Sequence, residues 1–171
     1  MKYVAFLRGI NVGGKKTVNM AELKASLEKM GYNNVRTLLN SGNVLFETGE
    51  RSEKKLTKDI EDILEKIFDW RIAVMIRSID EIKNILAKNP FKKTDGFKCY
   101  ISFLEKEPDT DLVKTYLALQ DEENQFVIKD REIYVKIRNT KDAKVYLALE
   151  KKLKLAATSR NVNTVEKLAN L

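Results

Sequence analysis

An α+β fold of two similar halves in tandem is what this sequence predicts, on three observations. Short β-favouring runs alternate with amphipathic helical stretches along the whole chain. The order strand, helix, then two strands joined by a tight turn starts at Tyr3 and starts again at Phe97. Between them, Asn89-Pro90 breaks the pattern, because a proline bars the residue before it from helix. Each half therefore reads as a split β-α-β plait, the ferredoxin-like (βαββαβ, α/β plait) arrangement. The expected boundaries are 1–77 for the first subdomain, 78–95 for a connecting helix and linker, and 96–171 for a second subdomain with C-terminal helices. Each half is small for a core of its own, so the two are expected to pack together.

In the first half, Tyr3–Gly9 is a β-favouring run that ends in the glycine-rich stretch Gly9-Ile-Asn-Val-Gly-Gly14. Asn19 precedes Met20, Leu23, Leu27 and Met30 at helical spacing, with Glu22 three residues on and Gly31 as the stop, which marks a capped helix. Val35–Leu39 and Val44–Phe46 flank Asn40-Ser-Gly-Asn43, whose residue types tolerate the positive φ angles of a tight hairpin. Ser52 opens a second helix with Leu56, Ile60, Ile63, Leu64 and Ile67 on one stripe, and Trp70, Ile72, Val74 and Ile76 then alternate as a fourth strand. A connecting helix is expected near Ile79–Lys88.

In the second half, Phe97, Cys99, Ile101 and Phe103 alternate along a strand, and Pro108-Asp109 begins a helix carrying Leu112, Val113, Tyr116, Leu117 and Leu119. Strands at Gln125–Lys129 and Glu132–Arg138 follow, then helices near Asp142–Leu153 and Val162–Leu171. A closing strand is hard to see.

The 171-residue chain has no histidine and one cysteine. That removes Ser-His-Asp and Cys-His catalysis, imidazole metal ligands, disulfide frameworks and cysteine-based zinc sites. No catalytic constellation is recognisable, so whether the protein is an enzyme stays open, and no metal or cofactor is expected. No apolar run reaches the roughly 18 residues needed to span a bilayer, and Arg8 interrupts the first one before a signal peptide could form, so a cytoplasmic protein without membrane contact is expected. Thirty-two basic against 25 acidic residues give a net charge of +7, which favours anionic partners through long-range attraction.

Several stretches then carry a family resemblance together: Leu7-Arg-Gly-Ile-Asn-Val-Gly-Gly14 with Met20-Ala-Glu-Leu23, Leu39-Asn-Ser-Gly-Asn-Val44, Asn89-Pro-Phe91, and Thr158-Ser-Arg-Asn161 with Thr164 and Lys167-Leu168. From Val4 to Leu168 the chain resembles a bacterial family described only as domain of unknown function 1697 (DUF1697). The resemblance implies two ferredoxin-like subdomains and brings no activity. Val162 stands where the family usually shows an aromatic residue and Asn40 where glutamine is more usual, so no stacking ring is carried over to Val162.

The sharpest local pattern is Gly9-x-x-x-x-Gly14-Lys15, most of a phosphate-binding P-loop. Lys16 occupies the place of the magnesium-binding Ser or Thr, and an antiparallel plait lacks the parallel βαβ unit that such a loop requires. A plainer anion nest at the first helix's N-terminus, with Lys15 or Lys16 supplying charge, is the functional reading; the alternative is a glycine-rich connection that lets strand turn into helix. In a plait the C-terminal end of the first strand meets the hairpin joining the next two. Arg8, Asn11, Gly13, Gly14 and Lys15 from one loop, and Ser41 and Asn43 from the other, are therefore expected to border one polar concavity. Arg8 could instead be a buried ion-pair member. The resemblance adds Arg160 and Asn161, after Thr158, as candidate closing residues from the second half; read from the residues alone, that segment looks like a helix cap.

The expected function is thus binding of a small anionic or phosphorylated ligand at the end of the first sheet. One rival is a nucleic-acid-binding module, for which Lys98, Tyr100 and Ser102 with Tyr134, Lys136 and Arg138 would form a stacking platform. The other is a structural or oligomerisation protein with no ligand. Cys99, among Phe97, Ile101 and Phe103, is expected in the core.

Overall fold

The computed structural model describes residues 1–11, 17–39, 42–138 and 155–171. It divides into two compact units, Met1–Ile82 and Lys83–Leu171. The first unit runs β1 (Lys2–Leu7), α1 (Met20–Lys29), β2 (Asn33–Leu38), β3 (Asn43–Glu47), α2 (Glu53–Phe68), β4 (Val74–Ser78) and the start of α3 (Ile79–Ala87). Its four strands form one sheet in the order β2-β3-β1-β4, antiparallel throughout.

Strand alternation sends Tyr3, Ala5, Leu7, Val44, Phe46 and Ile76 to the face where Leu23 and Leu27 of α1 and Leu56, Ile60 and Leu64 of α2 pack. Each leucine, isoleucine, valine or phenylalanine so removed from water stabilises by about 1.5–3 kcal/mol, which is why the helical stripes hold these helices to the sheet. Val4, Phe6, Leu45, Met75 and Arg77 on the other face are buried as well. The helix ends follow the sequence signals. The Asn19 side chain accepts from Ala21 N and Glu22 N, Gly31 turns the chain at φ +90°, and Ser52 caps α2.

The second unit comprises β5 (Phe97–Leu104), α4 (Thr110–Leu117), β6 (Asn124–Lys129), β7 (Glu132–Arg138), β8 (Ala157–Asn161) and α5 (Val162–Ala169). Its antiparallel sheet has the order β6-β7-β5-β8, with Leu104, Tyr116, Phe126, Ile133, Val135, Ile137 and Ala157 in one core. The helix expected at Asp142–Leu153 lies outside the described residues.

Three expectations are corrected. β1 ends at Leu7, not Gly9, because Gly9 takes φ +64°. The fourth strand begins only at Val74; Trp70 and Ile72 pack against the core from the approach to it. Ala157–Asn161 is a strand, with only its last residue acting as a helix cap.

The two sheets repeat one hydrogen-bond register. Leu7 N donates to Gly42 O (2.8 Å) and Arg8 N to Ala73 O (2.9 Å); Leu104 N donates to Arg131 O (2.9 Å) and Glu105 N to Ala156 O (3.0 Å). Val4 lies opposite Arg77, and Ile101 opposite Arg160. Leu7 therefore matches Leu104, Arg8 matches Glu105 and Arg77 matches Arg160.

Candidate functional site at the end of the first sheet

β1 leaves the sheet between two neighbours. Gly42 of the hairpin is bonded to Leu7 on one side, and Ala73, just before β4, is bonded to Arg8 on the other. The two loops expected to converge at this end do so, because antiparallel pairing brings the end of β1 level with the start of β3, where Phe6 faces Asn43. Arg8 is exposed, and its side chain has no hydrogen bond or ion pair with any described residue. Gly9 and Asn11 follow at φ +64° and +54°, and Leu39 and Gly42 across the hairpin are also left-handed at +60° and +77°. Asparagine and glycine accept this conformation at little cost; a leucine does not, so Leu39 is a local strain.

Asn11 is a clamp. Its Oδ1 accepts from Val18 N at 2.8 Å and its Nδ2 donates to Val18 O at 3.2 Å, which ties together the two ends of the glycine-rich loop. Between the loops, buried Ile10 fills part of the expected concavity: a Cβ built on Gly42 would lie 2.8 Å from Ile10 Cδ1. Asn43 is fully buried in β3, where its Nδ2 donates to Leu38 O (2.9 Å) across the hairpin. Gly13, Gly14, Lys15 and Ser41 lie outside the described residues.

Arg160 and Asn161 sit on β8 in the second unit. Arg160 is 7% exposed; its Nη1 donates to Thr158 Oγ1 (2.6 Å) and to Ser159 O (2.9 Å). Asn161 caps α5 by accepting from Asn163 N at 2.9 Å, and its side chain also bonds Tyr100.

The two-tyrosine platform does not form. Ile101 pairs with Tyr134 and Tyr100 with Val135, so the tyrosines point to opposite faces of the sheet. Tyr134 is buried, and its hydroxyl donates to Ile85 O at 2.9 Å. Lys136 and Arg138 share a face with Phe97, whose ring lies 4.7 Å from Lys136 Nζ and 5.3 Å from Arg138 Cζ. Arg138 is further neutralised by Glu123 at 2.7 Å.

Cys99 is buried, and burial pushes its thiol up against the smaller opposing pull of Lys136 and Lys93. No group of three or more metal-ligating side chains occurs among the described residues. The neighbours of β1 are both antiparallel, so β1 is not part of a parallel βαβ unit. Sequence reasoning overlooked two buried charged side chains, Arg77 and Glu132. The signal for the first was available: Arg77-Ser-Ile-x-x-Ile and Arg160-Asn-Val-x-x-Val are the same strand-to-helix junction written twice.

A family model described as "Protein of unknown function (DUF1697)" matches residues 1–134. The chain belongs to the DUF1697 family. The Thr158–Leu168 segment that also carried the resemblance lies beyond the matched residues. Among solved structures, this DUF1697 chain is similar to a conserved bacterial protein from Streptococcus pneumoniae, with a TM-score of 0.78, 22% identity, and coverage of 99% of this chain and 97% of that one. At that identity the likeness speaks for the fold alone. No curated protein matches.

Proposed function

We propose that this DUF1697 protein binds a small anion, phosphorylated or carboxylate-bearing, where β1 leaves the first sheet. The observation that carries the reading is Arg8: an exposed guanidinium with no side-chain partner among the described residues, at a point where two loops meet. A guanidinium presents a planar fork of donors that suits two oxygens of a phosphate or carboxylate. The loop that follows adds Gly13, Gly14 and Lys15 in sequence, and the hairpin adds Ser41. Asn11 holds the loop and Asn43 the hairpin. Arg160 and Asn161 already serve β8 and α5, so the proposal does not depend on them.

The same reading takes each sheet with its helices as a ferredoxin-like plait, with subdomains over 1–77 and 96–171 joined through 78–95. Strand orders β2-β3-β1-β4 and β6-β7-β5-β8 support it, since a split β-α-β motif places its first strand between its third and fourth. A reducing, cytoplasmic setting suits a single buried thiol. No described helix is long and apolar enough to cross a membrane.

The test is a thermal-shift screen of phosphorylated metabolites, carboxylates and inorganic pyrophosphate against chloride at matched ionic strength. A ligand of the native state at 100 times its Kd stabilises by about 2.7 kcal/mol, so the melting temperature rises with concentration. No anion exceeding the chloride control would sink the proposal.

A further inference from the structure

Resting on the anion-binding reading, the repeated register points to what selects charge at this site. Arg8 and Glu105 occupy one station: each is the residue after the strand's terminal leucine, and each donates its backbone N–H to the carbonyl of the alanine just before the strand alongside, Ala73 at 2.9 Å and Ala156 at 3.0 Å. Their chemistry is opposite. Arg8 projects into solvent without a partner among the described residues, whereas Glu105 Oε1 accepts from Ala156 N at 3.3 Å and closes back on its own sheet.

The surrounding segments follow the same inversion. The connection Leu7–Val18 contains three basic residues and no acidic one, while Leu104–Thr110 contains three acidic residues and one basic. Glycines are inverted too: the first connection holds Gly9, Gly13 and Gly14, the second none. The hairpins beside them differ in kind, Leu38–Asn43 being uncharged and Ile128–Ile133 carrying two charges of each sign.

We infer that Arg8 is the charge-selecting residue of the site, and that the corresponding end of the second sheet, with Glu105 at the same station, excludes anions, so that the chain takes up one anion and not two. A side chain that ends one strand in one half and its equivalent in the other would keep one sign of charge if the charge served only to hold the sheet, because the backbone bonds are identical. Retaining the backbone bonds while reversing the charge separates the structural task, common to both halves, from the recognition task, confined to the first.

The experiment titrates inorganic pyrophosphate into uniformly ¹⁵N-labelled full-length protein at fixed ionic strength, following assigned amide signals of wild type, Arg8→Glu and Arg8→Lys. In the wild type, signals from Arg8–Asn11 move and those of Glu105–Thr110 and Asp130–Glu132 stay. Charge reversal at a solvent-exposed contact replaces attraction by repulsion of similar size, so Arg8→Glu weakens pyrophosphate binding about tenfold or more, while Arg8→Lys stays within about threefold. Melting curves of both variants match wild type, since the replaced side chain is exposed. If Arg8–Asn11 signals still move and Arg8→Glu weakens binding by less than about threefold, the charge assignment is overturned and the anion site stands. Movement at Glu105–Thr110 with similar affinity overturns the exclusion. If no amide moves, the anion site itself is refuted, and this inference with it.

Discussion

Replacing Gly42 by alanine tests how tightly the hairpin is fitted to the end of β1. Gly42 has φ +77°, and a Cβ there would lie 2.8 Å from Leu7 Cβ, 2.8 Å from Ile10 Cδ1 and 3.1 Å from Ile10 Cγ1. The tip of Ile10 can rotate away. Leu7 Cβ cannot, because it is fixed to a strand that donates its N–H to Gly42 itself. Two costs follow: about 1–2 kcal/mol for holding an L-residue in the left-handed region, and about 1–3 kcal/mol for overpacking against a neighbour unable to retreat. Gly42→Ala should therefore destabilise the first unit by roughly 2–5 kcal/mol. Two glycines calibrate the parts. Gly9, at φ +64° with nothing within 4 Å, should show only the conformational cost of about 1–2 kcal/mol. Gly49, in open space and not left-handed, should be near neutral. Urea unfolding followed by fluorescence of Trp70, the one tryptophan and packed on the first unit's core, measures all three. A Gly42→Ala loss no larger than that of Gly9→Ala would show that Leu7 and Ile10 do not confine the hairpin, and the account of this end of the sheet would have to be abandoned.

Three further outcomes are expected. Cys99 should react with a thiol reagent in the native protein at least about a hundredfold more slowly than in urea, because it is buried and burial disfavours its thiolate; native labelling near the unfolded rate would contradict its place in the core. Lys136→Ala should leave pyrophosphate affinity unchanged within about twofold, since Lys136 lies over Phe97 in the second sheet and not at the end of the first; loss of binding with the fold intact would move the site. Burial, the largest cause in each case, raises the pKa of Tyr3, Tyr32, Tyr100 and Tyr134 above the ordinary value of 10.0. Above that pH the unfolded chain gives up protons that the folded chain keeps, so the stabilisation present below pH 10 is lost as pH rises; Tyr134→Phe should flatten the decline in urea midpoints between pH 9.5 and 11, and an unchanged slope would count against its burial.

The sequence makes the amphipathic elements legible and the polar ones obscure, for a physical reason. α1 and α2 could be read because a surface helix writes its buried stripe at 3.6-residue spacing and its ends in residues such as Asn19, Ser52 and Gly31. β1 and β5 announce themselves through β-branched and aromatic residues. β8 does not. Ala157-Thr-Ser-Arg-Asn161 has no apolar alternation, since one face carries Thr158 and Arg160 and the other Ser159, whose hydroxyl lies 2.7 Å from that of Ser102. Its strand character comes from pairing with β5, a tertiary cause that no local pattern records. At the site, convergence of the β1 end with the hairpin was legible from topology. What could not be read was how the asparagines would be used: Asn11 and Asn43 bond backbone groups of their own loops, a choice decided by φ angles and by the side chains packed between them.

The paired arginines show what two antiparallel sheets of the same register must solve twice. Among the described residues, β4 and β8 are both edge strands, each paired with a strand on one side only. Because Arg8 N bonds Ala73 O and antiparallel pairs alternate, Ile76 falls at a station whose N–H and C=O point away from β1; Glu105 N and Ala156 O put Ser159 in the same position. In each strand the next residue is an arginine that folds back to donate Nη1 to that carbonyl, Arg77 to Ile76 O at 2.7 Å and Arg160 to Ser159 O at 2.9 Å. A buried edge carbonyl left without a donor costs about 1–3 kcal/mol, and an open edge invites pairing with another chain. Burying a guanidinium is itself costly, so the arrangement holds only because each arginine finds further partners, Thr158 Oγ1 for Arg160 and Glu53 at 3.7 Å for Arg77. An arginine in the Thr158–Asn161 motif need not therefore signal a ligand. Its twin at Arg77, in the half that holds the candidate site, performs the same backbone service, and it is Arg8, whose counterpart is an acid, that breaks the repeat.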